Sequence, residues 1–125
     1  MNKKIAVCLT GEMRYWEITK HTFKTWDVDF FISTWDTTNR KEDNYPYKFH
    51  GNSDINEDIL ETLKPKGYEF LSREIEDKIK FNMPKYYYLI HRNNLLKTQY
   101  ELDNDFKYDC VIMTRPDVNY NRNPI

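Results

Sequence analysis

Three short stretches stay apolar residue after residue, and they constrain this chain more than any other feature. They are Lys4-Ile5-Ala6-Val7-Cys8-Leu9-Thr10, Asp29-Phe30-Phe31-Ile32-Ser33-Thr34-Trp35-Asp36 and Tyr108-Asp109-Cys110-Val111-Ile112-Met113-Thr114. A strand with one face in water alternates apolar and polar side chains. A continuous run predicts a strand buried on both faces, as in a parallel sheet covered by helices on each side. Tyr68-Glu69-Phe70-Leu71 reads as a fourth, shorter strand.

The segments between them have helical spacing. Met13, Trp16, Phe23 and Trp26 predict a helix within Glu12 to Trp26. Ser53 or Asp54 caps a short helix through Leu63, with Glu57 and Asp58 favourable in its first turn and Pro65 and Gly67 stopping it. Pro84 opens the longest helix, to about Asn104, whose stripe of Tyr86, Leu89, Ile90, Leu96 and Tyr100 also contains Asn93. A buried amide needs partners, so Asn93 either ties down the sheet's backbone or lines a ligand crevice. Residues 37–53 form the longest candidate loop, 72–80 are charged and ambiguous, and 117–125 show no pattern. The alternation βαβ–αβ–αβ predicts one α/β domain over residues 1–125, with an open, mainly parallel sheet flanked by helices.

Composition removes several function classes. The 125 residues carry a net charge of -1, with no basic stripe of the kind a nucleic-acid binder needs. No run approaches the length of a membrane-spanning helix, and Ile5 to Leu9 is too short for a signal-peptide core. Cys8 and Cys110 lack metal-ligand spacing and read as small buried hydrophobes on neighbouring strands, in a reduced, cytoplasmic setting. His21, His50 and His91 are scattered. There is no Gly-rich phosphate loop with Lys and Ser/Thr and no Gly-x-Ser-x-Gly, which argues against a kinase or hydrolase.

Open parallel sheets bind ligands beyond the carboxyl ends of their strands, where strand order reverses. Those ends hold Thr10-Gly11-Glu12-Met13-Arg14, Ser33-Thr34-Trp35-Asp36 and Thr114-Arg115-Pro116-Asp117. With a spatial order 3-2-1-4, Arg14, Arg115 and Asp117 converge on one crevice. Gly11 lets the chain approach a ligand closely, and the following helix offers free N–H groups. Arg14 and Arg115 suit phosphate, and Asp117 is a hard oxygen ligand for Mg²⁺ or Mn²⁺. Asp36 can accept hydrogen bonds from a ribose or a base edge. Together these residues read as a nucleoside diphosphate site. Each has a plainer reading too: Gly11 as a turn, Arg14 as a solvated side chain, Asp36 as a loop cap, and Arg115 and Asp117 as a pair bridging each other. Trp16, Trp26 and Trp35 read as core or rim.

The same three segments, with Asn93-Asn94-Leu95-Leu96-Lys97-Thr98-Gln99-Tyr100-Glu101 before the last of them, resemble a group of glycosyltransferases. The group has the A-type, Rossmann-like nucleotide-sugar fold and occurs in marine phages, giant viruses and bacteria. Its members pair a strand–Gly–x–x–Arg opening with a His/Ser-Thr-Trp-Asp segment and a Tyr-Asp-x-Val-Ile-x-x-Arg-x-Asp strand. The resemblance spans the chain but only the N-terminal half of a usual member, so it implies a truncated, donor-binding domain. It implies sugar transfer from a nucleotide-sugar donor to a glycan acceptor, in the host cytoplasm if the source is viral. Thr10 and Asp36 map to the nucleoside. An Asp-x-Asp that binds a divalent cation (Mn²⁺ or Mg²⁺) and the diphosphate is usual after the fourth strand. Here that place reads Arg115-Pro116-Asp117, with Asp117 as the remaining metal ligand or Arg115 as the neutralising charge. Asp109, at the start of its strand, is a poor general base. The alternative is a non-catalytic Rossmann-like binding module. A homodimer covering the edge of the fourth strand is compatible with either.

Overall fold

The computed structural model describes residues 3–11, 13, 15–36, 53–72, 75 and 85–118. Its elements follow as β1 (Ile5–Thr10), α1 (Trp16–Phe23), β2 (Asp29–Trp35), α2 (Ser53–Leu63), β3 (Gly67–Leu71), α3 (Lys85–Asn104) and β4 (Cys110–Thr114). The four strands form one sheet in the order β3-β2-β1-β4, every pair parallel. Val7 lies beside Phe30 and Ile112, and Phe31 lies beside Gly67. This is an α/β fold compatible with a Rossmann-like architecture.

Both faces of the central strands are covered, which is why their sequence does not alternate. On one face Val7, Leu9, Phe30 and Ile32 pack with Trp16, Phe23 and Trp26, and with Ile59 and Leu63 of α2. On the other, Ala6, Cys8 and Phe31 meet Leu96 and Tyr100 of α3 together with Phe106 and Tyr108. Right-handed parallel crossovers require this division: β1 to β3 proceeds one way along the sheet, and the step to β4 reverses direction and changes face.

α1 is shorter than the expected span from Glu12 to Trp26. Its N-cap residue Tyr15 has φ 61°, a left-handed conformation that breaks the helical path before Trp16. Trp26 lies past the helix end yet stays in the core, edge-on to Phe23 at 5.0 Å. All three tryptophans are buried, as expected. β4 starts at Cys110 because Tyr108 turns inward, its hydroxyl donating to Asp29 Oδ2 at 2.7 Å. Burial, with Asp29 beside it, holds that proton well above the usual tyrosine range.

The expectation for the cysteines is half corrected. Cys8 is fully buried, and burial pushes its thiol up to about 12. Cys110 is exposed, because β4 is an edge strand. In dilute native protein iodoacetamide is expected to modify Cys110 alone, and both cysteines after unfolding, as counted by mass spectrometry. Two adducts at equal native rates would contradict this.

Gly67 has no room for a side chain. A Cβ there would lie 3.1 Å from Phe31 Cδ1 and 3.4 Å from Leu96 Cβ. Phe31 packs edge-on against Tyr100 and Tyr108, so making room disturbs a packed cluster and Gly67→Ala is expected to destabilise the fold by about 1 kcal/mol in urea titrations.

Two carboxylates are held below their ordinary values and contribute stability that acid removes. Trp16 Nε1 donates to Asp58 Oδ2 at 2.7 Å and holds this carboxyl below its ordinary value, against partial burial and with help from Lys20. Burial pushes Glu101 up, but hydrogen bonds from Lys97 and the Tyr108 N–H, with the Lys97 charge, outweigh it. A carboxylate with a lowered folded pKa stabilises above its unfolded value and loses that contribution as pH falls through the folded one. Melting temperature is therefore expected to be flat near neutrality and to drop below about pH 4. Asp58→Asn with Glu101→Gln should lower the plateau and flatten the drop.

Candidate functional site

The strand order puts the topological switch between β1 and β4. Thr10 and Gly11 stand on one side of it, and Thr114 and Arg115 on the other. Leu9 pairs with Thr114, so Arg115 follows level with Thr10. Thr10 pairs with Ser33, so Asp36 lies three residues, about 10 Å, further along β2.

Gly11 has φ 117°, which side chains disfavour, and its N–H donates to Ser33 O at 3.3 Å. The chain can turn off β1 here because position 11 has no Cβ. Asp36 is pinned through its backbone: its N–H donates to Leu71 O at 2.7 Å, and its carbonyl accepts from Asn56 Nδ2 at 3.2 Å. Its carboxylate Oδ1 is buried and has no hydrogen-bond partner among the described residues. Arg115 Nη2 donates to Asp117 Oδ2 at 2.6 Å, so the two do bridge each other. The Arg115 side chain remains 49% exposed, whereas Asp117 is 12% exposed, its Oδ1 buried and without a partner among the described residues. Arg14 lies outside the described residues, as do 37–52 of the expected loop, most of 72–80 and residues 119–125.

Asn93 ties down the sheet. Its Nδ2 donates to Leu9 O at 3.0 Å, Thr10 Oγ1 at 2.9 Å and Phe31 O at 3.1 Å. Two carbonyls facing one group fix the amide orientation, because the opposite flip would set oxygen against oxygen. Oδ1 is then buried without a partner among the described residues. Asp109 sits at the amino end of the sheet, accepting from Lys4 N at 2.8 Å, away from this crevice.

Comparison with known proteins finds no matching family model, no matching curated protein and no matching solved structure.

Sequence reasoning passed over a polar cluster at the neighbouring strand ends. Glu69 accepts from Ser33 Oγ at 3.2 Å, Arg92 Nε at 3.0 Å and Arg92 Nη2 at 2.9 Å. The available signal was a carboxylate inside a five-residue, otherwise apolar strand.

The carboxyl ends of β2 and β4 thus carry acceptors without a partner among the described residues together with a half-exposed guanidinium. Unpartnered buried acceptors suit a ligand that brings donors, such as ribose hydroxyls or base N–H groups, and the guanidinium suits phosphate. A resident divalent cation fits less well. No group of three or more His, Cys, Asp or Glu able to hold a metal occurs among the described residues. Asp117 offers one oxygen, and its other oxygen already faces Arg115. No helix among the described residues is long and apolar enough to cross a membrane.

Proposed function

We propose that this chain is the donor-binding half of a glycosyltransferase of the A-type, Rossmann-like kind, taking a nucleoside diphosphate sugar at the carboxyl end of β1, β2 and β4. The observation that carries the reading is the pair of buried carboxylate oxygens, Asp36 Oδ1 and Asp117 Oδ1, that lack a hydrogen-bond partner among the described residues at that end of a parallel sheet. Buried polar atoms are usually satisfied, and two orphans at the ligand-binding end favour a missing partner. Asp36 receives donors of the nucleoside, Thr10 and Gly11 line the approach, and Arg115 meets the diphosphate with Asp117 orienting it. A positive charge at Arg115 stabilises the leaving diphosphate as charge builds on it, the task the first acid of Asp-x-Asp performs through a metal. Arg14 belongs to the same proposed site by its place in the sequence.

Titration calorimetry with nucleoside diphosphates tests the assignment. Asp36→Ala and Arg115→Ala are each expected to weaken binding at least tenfold, about 1.4 kcal/mol. Losses under about 0.5 kcal/mol for both would remove the crevice as the binding site and favour a non-catalytic binding module.

A further inference from the structure

Two neighbouring residues of α3 reach the carboxyl end of the sheet. Thr10, Ser33 and Glu69 stand side by side on β1, β2 and β3. Side chains two apart along a strand share a face, so this row lies just beyond Cys8 and Phe31, on the face that α3 covers. The layer of Cys8 and Phe31 is apolar, and the row above it is polar. Arg92 takes the β3 side of the row, donating to Glu69 at 3.0 and 2.9 Å, and Glu69 accepts from Ser33 Oγ at 3.2 Å. Asn93 takes the β1 side, where Thr10 Oγ1 and the Leu9 carbonyl accept from its Nδ2 at 2.9 and 3.0 Å.

Burial alone does not call for this amide. Packing needs only apolar contact, which Leu89 and Leu96 supply one helical turn to either side. Asn93 is fully buried, and its Oδ1 has no partner among the described residues. An oxygen in that state costs free energy. What the amide adds is a fixed place, because hydrogen bonds are directional and apolar packing is not.

The place it fixes is the end of β1. Leu9 and Thr10 are the last two residues before Gly11, whose φ of 117° turns the chain off the strand. The third bond from Asn93, to Phe31 O at 3.1 Å, ties that end to β2. On the other side Leu9 pairs with Thr114, so Arg115 follows level with Thr10. A shift of the β1 end therefore changes how the Gly11 backbone stands to the Arg115 guanidinium.

We infer that Asn93 is a positioning residue of the donor site. It does not touch the ligand; it holds Leu9 and Thr10 so that the Gly11 backbone and Arg115 meet the diphosphate together. The inference rests on the function proposed above. Arg92 has no such part, since its contacts run to β3 and β2 and stop short of the switch point.

Titration calorimetry of the full chain with ADP, CDP, GDP and UDP selects the nucleotide that the wild type binds. Asn93→Leu is expected to weaken that binding at least about fivefold, the lower end of coupling between separate sites. Phe31→Leu disturbs packing on the same face and should stay within about twofold of wild type. Thr10→Val removes the side-chain acceptor and should lose at least about fivefold as well, whereas Thr10→Ser keeps it and should stay within about twofold. Asn93→Leu combined with Thr10→Val should lose less than the product of the two, because they break the same bond. Circular dichroism melts establish that each variant folds, and the Thr10 pair decides if Asn93→Leu does not. Asn93→Leu or Thr10→Val binding as wild type does, an equal loss in Phe31→Leu, or losses that multiply would overturn the inference, while a loss in Arg115→Ala keeps the donor reading. A wild type that binds none of these nucleotides would remove that reading and the inference with it.

Discussion

Replacing Asn93 with Ala is expected to lower the free energy of unfolding by about 3 kcal/mol, the middle of the range for a buried side chain lost together with its hydrogen bonds. The side chain is fully buried in α3 and holds three acceptors on β1 and β2 through one nitrogen. Truncation leaves a cavity and removes all three of these hydrogen bonds between α3 and the ends of β1 and β2. Asn93→Leu refills the volume without the donors and should recover about 1 kcal/mol of the loss. Asn93→Asp should cost more than Ala at neutral pH, because it sets an oxygen against two carbonyl oxygens. Urea titrations with unchanged slope check the series. A loss below about 1 kcal/mol for Asn93→Ala would mean that the helix is held by its apolar stripe alone.

The second large effect belongs to Phe31. It is fully buried, with ring centroids 5.7 Å from Tyr100 and 5.8 Å from Tyr108, both edge-on. It also fills the space that Gly67 leaves open. Phe31→Ala removes the centre of the α3-facing cluster and is expected to cost about 4 kcal/mol. Phe31→Leu keeps most of the volume and loses the aromatic contacts, at about 1.5 kcal/mol. Equal losses for Leu and Ala would show that edge-on ring packing, rather than volume, holds this side of the sheet.

The two central strands were legible because burial on both faces keeps Ile5 to Leu9 and Phe30 to Ile32 continuously apolar, and the order 3-2-1-4 was the arrangement that brought the ends of β1 and β4 together. The helix ends were less legible. Nothing in Glu12-Met13-Arg14-Tyr15 announces a left-handed residue at Tyr15, which is set by how α1 docks. Asn93 stood out as the one polar residue on an apolar stripe, and its first reading, as a tie to the backbone, holds. Cys110 was misread because an apolar run looks alike in a central strand and in an edge strand. Only the topology, with α3 packed on β1, β2 and β3, shows that β4 is an edge strand. Within the site, the Arg115–Asp117 bridge was one of two open readings. The orphaned oxygens of Asp36 and Asp117 could not be read from sequence, since orphaning depends on what every neighbour is already bonded to.

The most direct test of the central claim is a thermal-shift screen of this chain against nucleoside diphosphates, each with and without Mn²⁺. Ligand at 100 times its dissociation constant adds about 2.7 kcal/mol, several degrees for a domain of this size. The account predicts a shift with one nucleotide that persists without Mn²⁺, because Arg115 supplies the positive charge. A shift only with Mn²⁺ would contradict that role for Arg115 and make Asp117 a metal ligand. A cooperative melt that no nucleotide moves would contradict the donor-site claim itself.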